Sequence, residues 1–376
     1  MLKRKAELFK LFGFTVSVDV SWGIILFLVV WSLAKGAFPA YYPDLSMQTY
    51  WIMGVIGALG LFISIIIHEF SHSLVARKYG LDIKGITLFI FGGVAEMKDE
   101  PDNPKTEFFM AIAGPIASLL LSLLFGVFYQ VATVAGLPVP IIAILGYLSA
   151  INMLLAIFNM VPAFPTDGGR ILRAIIWWLK GDIRMATLLA SRISVIFALF
   201  IIFTGFMHLI QGNVMGGVWW ILIGSFLFSA ANSSYQSLLI KQSFAGKKVR
   251  DYMNADPVTV PSDITLQEFV DKYLYRYHYK MYPVTQEGTI SGIITLSALK
   301  SVSPEQWSTM QVAQIMQKAT EDNTLPATLS VQEAMVIMNE SDISRMLVQK
   351  DHKIVGIITL KDLLEYFTIK IELEAS

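Results

Sequence analysis

Cysteine is absent from this chain of 376 residues, and charged side chains account for only 15% of it. Without thiols there can be no disulfide bonds and no thiolate metal ligands, so a metal ion would have to be bound by histidine, aspartate or glutamate. Acidic and basic residues balance at a formal net charge of +0, so charge gives no indication of a nucleic-acid partner and we expect none. Few charges together with 55% hydrophobic residues are typical of a polytopic α-helical membrane protein.

Apolar segments long enough to span a bilayer, whose hydrocarbon core is ~30 Å thick, occur six times in the first two thirds of the chain. They predict six transmembrane helices at about residues 20–36, 51–75, 107–132, 140–161, 186–210 and 216–239. A shorter apolar stretch, residues 171–180, predicts an interfacial or re-entrant helix. Charges become frequent after residue 240. The sequence therefore predicts a membrane domain at 1–240, a linker at 241–248 and a soluble tail at 249–376.

Basic residues outside the six segments all lie in the same set of alternate connections. Because lysine and arginine accumulate in cytosolic connections, we expect a multi-pass protein of the cell membrane with both termini and the tail in the cytosol. The opposite connections, residues 37–49, 134–140 and 211–217, contain neither residue type. The basic residues assigned to the cytosolic side are Lys3, Arg4, Lys5, Arg77, Lys78, Lys84, Lys98, Lys105, Arg170, Arg173, Lys180, Arg184, Lys241, Lys247, Lys248 and Arg250.

The second apolar segment contains His-Glu-x-x-His at residues 68–72. Helical residues four positions apart share a face, so His68 and His72 can bind one ion. Zinc suits such a pair when a third protein ligand is added and the fourth position is left for water, which Glu69 can orient and deprotonate. The alternative is that the histidines only form hydrogen bonds to neighbouring helices. Ionisable residues are costly inside an apolar span, which favours the functional interpretation.

The stretch "FNMVPAFPTDGGR" at residues 158–170 offers a third ligand, Asp167. Pro162 and Pro165 end the fourth segment, and the two glycines after Asp167 permit a tight backbone. Irregular backbone at membrane depth must be buried in protein or line a cavity. Since the second and fourth segments run in the same direction, we expect Asp167 at the depth of the histidines. The alternative is a loop aspartate that caps the following helix.

Four motifs, "HEFSH", "FGGVAEM", "AGP" and "NMVPAFPTDGGR", follow one another in this sequence. Together they resemble the site-2 proteases, a family of intramembrane zinc metalloproteases, and the resemblance covers most of residues 1–240. Thr166 departs from the family pattern, which usually has leucine before Asp-Gly. The resemblance implies one zinc ion per chain. The roles it implies are zinc ligation by His68, His72 and Asp167, catalysis by Glu69, and a position near the substrate for Asn159.

The stretch "ITLFIFGGVAEM" at residues 86–97 places β-branched and aromatic residues before two glycines, Gly92 and Gly93. This composition predicts a strand or hairpin that reaches the active site, where its edge can pair with an unwound substrate. A protease needs such pairing because a helical substrate hides its scissile carbonyl behind intrahelical hydrogen bonds. The alternative is a hairpin that only packs.

The soluble tail repeats one pattern of strand, helix, strand, strand and helix at residues 249–305 and 312–370. The pair resembles tandem cystathionine-β-synthase (CBS) domains, α/β modules that often bind adenosine nucleotides. The resemblance implies that Thr359 and Asp362 in "GIITLKDL" contact a ribose. The matching positions of the first repeat are Thr295 and Ala298, so we expect one nucleotide site. The alternative is a structural module that forms a homodimer.

These observations predict a zinc-dependent endopeptidase of the bilayer that cleaves single-span membrane proteins near the cytosolic leaflet, as in regulated intramembrane proteolysis. Regulation by an adenosine nucleotide at the CBS pair is part of this prediction. A different class is a CBS-gated transporter or channel with an intramembrane metal site. Glu69 favours the protease over the transporter or channel, because hydrolysis needs a carboxylate beside the metal ligands and ion transport does not. An inactive relative is disfavoured because no motif residue is missing.

Overall fold

Helices of the first 243 residues that begin at residues 47, 104 and 183 have polar side-chain caps, and several helices are followed by left-handed glycines. Ser46 Oγ accepts the Thr49 amide, Asn103 Oδ1 accepts the Thr106 amide, and Gly181 ends a helix at φ 73°. A computed structural model describes residues 5–11, 13–19, 21–89, 92–97 and 101–374. Among the basic residues used to orient the chain, Lys3, Arg4 and Lys98 lie outside these ranges. The chain divides into two units, residues 2–238 and 239–376.

Six helices of the described residues are long and apolar enough to cross a membrane, which confirms the predicted fold class. The first is continuous through a π-helical segment, Leu33–Ala37, that joins α1 to α2. The short α6 corresponds to the helix predicted at residues 171–180. The helices are α1 Ser21–Ser32, α2 Phe38–Tyr41, α3 Met47–Lys78, α4 Pro104–Val134, α5 Val139–Asn159, α6 Asp167–Lys180, α7 Ile183–Ile210 and α8 Val214–Ser243.

The first unit also contains a four-stranded sheet with the strand order β1-β2-β3-β4. β1 pairs antiparallel with β2, β2 parallel with β3, and β3 antiparallel with β4. The β3–β4 hairpin is the one predicted at residues 86–97. The β1–β2 hairpin was missed, although "FTVSVD" alternates in the period of a strand and Gly13 supplies its left-handed turn. The strands are β1 Lys5–Leu11, β2 Phe14–Asp19, β3 Ile83–Phe89 and β4 Gly92–Met97.

The sheet packs on α3, which carries His68 and His72, and on α4. Val16 and Ile86 are fully buried against Phe70 of α3 and Met110 of α4. The Arg77 guanidinium lies 4.7 Å from the centre of the Phe14 ring, a cation–π contact between the end of α3 and β2. Phe70 and Met110 thus join α3 and α4 to the sheet through one apolar core.

The second unit contains two copies of one α/β pattern, which confirms the predicted repeat. Its sheets have the orders β5-β6-β7-β8 and β11-β10-β9. The helices are α9 Leu266–Phe269, α10 Tyr275–Tyr277, α11 Leu296–Lys300, α12 Val312–Ile315, α13 Val331–Glu340 and α14 Leu360–Glu374. The strands are β5 Val260–Pro261, β6 Met281–Gln286, β7 Thr289–Thr295, β8 Gln317–Lys318, β9 Thr324–Pro326, β10 Arg345–Lys350 and β11 Lys353–Thr359.

The two copies differ by one residue in the segment from the start of their first helix to the next strand. Both helices begin with a capping box, at Thr265 in the first copy and at Ser330 in the second. The segment from Thr265 to Met281 is one residue longer than the segment from Ser330 to Arg345. The first copy accommodates the additional residue as a π-helical segment, Val270–Leu274, whereas α13 is regular. A single inserted residue is the ordinary origin of a π-bulge.

Candidate metal centre

Two buried histidines lie on one face of α3, inside a helix of 32 residues that is otherwise mostly apolar. His68 is 4% exposed and His72 is 8% exposed, and their Nε2 atoms are 3.2 Å apart. The four-residue spacing produces this geometry, because each helical turn brings the next side chain above the last. The structure therefore brings the pair together as the sequence predicted.

Asp167, the first residue of α6, reaches the same point from a position 99 residues further along the chain. Its Oδ2 atom lies 3.1 Å from His68 Nε2 and 3.3 Å from His72 Nε2. Among the described residues, these three form the one group of three or more possible metal ligands. A carboxylate oxygen and two imidazole nitrogens thus form a nearly equilateral triangle.

The loop before Asp167 is held closed by its own polar groups. The Thr166 hydroxyl donates to the carbonyls of Val161 and Ala163 at 2.6 and 2.8 Å, and it is buried. The Phe164 amide donates to Ser194 Oγ of α7 at 2.9 Å. The threonine that departs from the family pattern therefore has a structural use here: its hydroxyl satisfies two carbonyls of an irregular, buried segment.

The two positions after Asp167 must be glycine, because other backbone atoms lie close to them. A Cβ atom on Gly168 would lie 2.5 Å from the Met160 carbonyl oxygen, and one on Gly169 would lie 2.6 Å from the Phe164 amide nitrogen. The start of α6 therefore packs directly on the end of α5 and on the loop. A side chain at either position would displace Asp167.

Helix α4 supports both histidine rings. His72 Nδ1 lies 2.6 Å from the Met110 carbonyl oxygen, and His68 Nδ1 lies 2.9 Å from Ser118 Oγ. Gly114 lies between these residues, and a Cβ atom there would be 2.6 Å from His68 Nε2. The small Gly114 of the "AGP" motif thus provides the space in front of the two Nε2 atoms.

A buried ion pair joins α6 to α4. Arg173 Nε donates to Glu107 Oε1 at 2.8 Å, and an Arg173 terminal nitrogen donates to the same oxygen. Glu107 is fully buried and Arg173 is 8% exposed. Sequence reasoning missed this pair, although a glutamate at the start of a predicted span is itself a signal of function.

The three facing atoms have the chemistry and the spacing of a zinc site. The Met110 carbonyl can only accept, so His72 Nδ1 carries the proton in the neutral ring and His72 Nε2 presents a lone pair. That lone pair faces the Asp167 carboxylate oxygen, an arrangement that a cation would stabilise. Tetrahedral zinc holds nitrogen and oxygen ligands at about 2.0–2.2 Å, which places the ligand atoms about 3.3 Å from one another. The observed separations of 3.1–3.3 Å fit this ion.

The other predicted residues are not part of the triangle. Glu69 is partly exposed on α3, next to His68 in the chain. Asn159 is the last residue of α5 and is partly exposed. Gly92 and Gly93 open β4, where they pair with Phe89 and Leu88 of β3. Within the part of the chain that the structure describes, β4 lies at one edge of the sheet.

In the second unit, Thr359 is the last residue of β11, and its Oγ1 accepts the Asp362 amide at 3.1 Å. The first copy has the same cap, with Thr295 Oγ1 accepting the Ala298 amide at 3.1 Å. Both threonines therefore cap the helix that follows them. The Asp362 side chain is exposed at the first turn of α14.

Comparison with known proteins adds independent observations. The family model for Peptidase family M50 matches residues 56–137 and 130–203, and the CBS domain model matches residues 249–305 and 312–369. Rip3 of Mycobacterium tuberculosis is 36% identical over 364 residues, which cover 93% of this chain and 89% of that protein. Zinc metalloprotease MJ0392 of Methanocaldococcus jannaschii is 30% identical over 366 residues, which cover 96% of each. The chain belongs to peptidase family M50, the site-2 proteases.

This site-2 protease is accordingly a zinc metalloprotease of the membrane that acts on membrane proteins and carries a tandem CBS pair. Membership in a peptidase family favours proteolysis over the transporter or channel considered above. Among solved structures, the site-2 protease from Methanocaldococcus jannaschii is 29% identical, with a TM-score of 0.41, and the match covers 62% of this chain and 95% of that chain.

Proposed function

We propose that His68, His72 and Asp167 bind one zinc ion and that Glu69 is the catalytic base of an intramembrane endopeptidase. The observation that carries this proposal is the convergence of three ligand atoms within 3.3 Å of one another, beside a carboxylate that is not one of them. Zinc, when bound, supplies Lewis-acid activation of water and of the scissile carbonyl. The Glu69 carboxylate accepts the proton of the attacking water and returns it to the leaving amine.

The proposed substrate is a single-span membrane protein whose scissile bond lies near the cytosolic leaflet. The β4 strand supports this, because its outer edge has no strand partner among the residues that the structure describes. An unwound substrate can add to that edge as a further strand, with Gly92 and Gly93 allowing close approach of its backbone. Asn159, at the end of α5 and before the loop that leads to Asp167, is the proposed further contact with the substrate. The cleavage would release a cytosolic fragment, as in regulated proteolysis.

The orientation proposed for the chain follows from its basic residues. With both termini and the tail in the cytosol, the end of α3 that carries Arg77 and Lys78 lies on the cytosolic side. The histidines are one to three helical turns before those residues. We retain the division into a membrane domain at 1–240, a linker at 241–248 and a cytosolic tail at 249–376.

We expect the purified protein, reconstituted in vesicles, to cleave tagged single-span proteins and to lose this activity when zinc is removed. A chelator should abolish cleavage, and added zinc should restore it, because the proposed mechanism needs the ion for both water and carbonyl activation. Mass spectrometry of the fragments would locate the cut. A two-span hairpin protein with the same apolar sequence serves as the control substrate.

Equal cleavage of the two-span control would contradict the single-span preference. Activity that persists after zinc has been measured as absent would contradict the metal-dependent mechanism. A cut in the half of the substrate span that faces away from the cytosol would contradict the proposed orientation.

We further propose that the CBS pair binds one adenosine nucleotide, with the Thr359 hydroxyl and the Asp362 carboxylate contacting the ribose. The support is that Thr359 uses its oxygen as a cap acceptor and still has a proton to donate, while the exposed Asp362 can accept from a ribose hydroxyl. The first copy has Ala298 in place of the acid, so one site is expected. A nucleotide can regulate proteolysis only if it binds one arrangement of the protein better than another.

Calorimetric titration of the full chain with ATP, ADP and AMP is expected to give one site, and Asp362→Ala to weaken it by about 10-fold through the loss of a charge-assisted hydrogen bond. Asp322→Ala, at another exposed aspartate of the same copy, is the control. Ala298→Asp is expected to add a second site. If none of the three nucleotides binds, the pair is a structural module, and formation of a homodimer remains its proposed role.

A further inference from the structure

One face of α4 supports all three proposed zinc ligands. It contacts both histidines directly and reaches Asp167 through Arg173. Glu107, Met110, Gly114 and Ser118 follow one another at spacings of three or four residues, so they lie along one face. Ser118 contacts His68, the Met110 carbonyl contacts His72, and Glu107 contacts Arg173 on the helix that begins with Asp167. Two of these contacts, those of Ser118 and Glu107, are made by side chains.

The contact with Ser118 fixes the orientation of the His68 ring. Ser118 is fully buried, and its Oγ lies 2.9 Å from His68 Nδ1. For His68 Nε2 to bind a metal, Nδ1 must keep the proton and donate it to this oxygen. The Met110 carbonyl has the same relation to His72, so both rings are held in one tautomer by acceptors on one helix. Without Ser118, the His68 ring would lose the contact that opposes its rotation.

The Glu107 contact decides the position of Asp167. Arg173 lies less than two helical turns after Asp167 on α6, and its guanidinium donates twice to one Glu107 oxygen. This contact of two N–H donors with one carboxylate oxygen restricts where the guanidinium can lie, and the charges of both groups strengthen it. It therefore fixes the height of α6 relative to α4, and with it the distance from Asp167 to the histidines.

We propose that α4 aligns the zinc ligands through two positioning residues, Ser118 for His68 and Glu107, acting on Arg173, for Asp167. This inference rests on the proposed ligand set. It predicts that changing either contact weakens zinc binding and alters the geometry around the ion without removing a ligand. Changes to residues that orient metal ligands typically cost about 10- to 100-fold in metal affinity or activity.

The test measures zinc affinity of the purified full chain by competition with a chromophoric chelator, and the visible absorption spectrum after exchange with cobalt(II). The variants are Ser118→Ala and Arg173→Lys. The lysine keeps the buried positive charge, whereas Glu107→Ala would leave Arg173 buried without its partner and could prevent folding. Cobalt(II) reports ligand geometry directly, which a general loss of stability would not change.

Ser122→Ala is the matched control for Ser118→Ala. Ser122 lies one turn further along α4 and is also buried, but its hydroxyl donates to the Ser149 carbonyl of α5 at 2.8 Å. Arg192→Lys, at an exposed arginine of α7, is the control for Arg173→Lys. We expect both test variants to lose about 10- to 100-fold in zinc affinity and to show an altered cobalt spectrum, with both controls unchanged.

The outcomes separate this inference from the function it rests on. If the wild-type chain binds no zinc, the ligand assignment itself is wrong. If wild type binds zinc and Ser118→Ala keeps its affinity and cobalt spectrum, the role of Ser118 is wrong. Equal losses in Ser118→Ala and Ser122→Ala would mean that helix packing, not ring orientation, is measured. An unchanged Arg173→Lys variant would overturn the role of Glu107.

Discussion

Exchanging Glu69 for glutamine is expected to stop peptide cleavage while each chain keeps its zinc ion. Glutamine has nearly the same size as glutamate, but its amide cannot accept a proton from water at neutral pH. General acid–base catalysis contributes about 10²- to 10⁴-fold to enzymatic rates, so the cleavage rate should fall by at least this factor. Fragment yield from a tagged single-span substrate gives the rate, and elemental analysis of the same sample gives the zinc content.

The proposed ligand atoms belong to His68, His72 and Asp167. The zinc content of Glu69→Gln should therefore stay the same while its cleavage activity falls. Glu305→Gln, at an exposed glutamate of the second unit, makes the same chemical change and is the control. Undiminished cleavage by Glu69→Gln would remove the proposed base. Loss of zinc from that variant would mean instead that Glu69 belongs to the binding site. Both results concern the mechanism and leave family membership intact.

The parts of the fold that the sequence predicted correctly are those that depend on local pattern. Six apolar runs gave six helices, and the four-residue spacing of His68 and His72 placed both rings on one face. The internal repeat of the tail was likewise recognisable from two copies of one pattern. These features follow from helical periodicity and from the thickness of a bilayer, which do not depend on how the helices pack.

Asp167 is the exception, because its partner His68 is 99 residues away and yet the sequence indicated the contact. Two facts made that possible. The second and fourth spans run in the same direction, and prolines followed by glycines mark irregular backbone that must be buried in protein at membrane depth. Topology and polarity together restricted the position of Asp167 without any knowledge of side-chain geometry.

The contacts made by α4 could not be predicted in this way. Whether Ser118 faces His68 depends on the rotation of α4 about its axis, and Ser122 on the same face contacts α5 instead. Local sequence does not distinguish these two serines. The Glu107–Arg173 pair likewise depends on the packing of two helices that are remote in sequence. The N-terminal hairpin was missed for a different reason: its basic start and short alternating strands are weak signals beside long apolar helices.

Replacing Asp167 by alanine is expected to release zinc from the protein. Two histidines are one ligand short of the three protein ligands that zinc sites with an open position use. The loss in affinity should therefore exceed the about 10- to 100-fold change expected for residues that only orient ligands. Asp167→Asn tests the same point with a side chain of nearly equal size. Zinc per chain after dialysis, measured by elemental analysis on samples shown to be folded, provides the result.

Asp182→Ala is the control for Asp167→Ala, because it removes a helix cap without removing a proposed zinc ligand. Asp182 is the residue before α7, and its Oδ1 accepts the Arg184 amide at 2.7 Å, so its removal costs about 1 kcal/mol of cap stability. Asp167 is the first residue of α6, where a carboxylate stabilises the helix end by about 0.3–1 kcal/mol. The control therefore perturbs a helix start at least as much and should keep its zinc. Full zinc occupancy in Asp167→Ala would mean that the third ligand lies elsewhere in the chain. Equal zinc loss in both variants would mean that the arrangement of the helices, rather than the Asp167 carboxylate, determines binding.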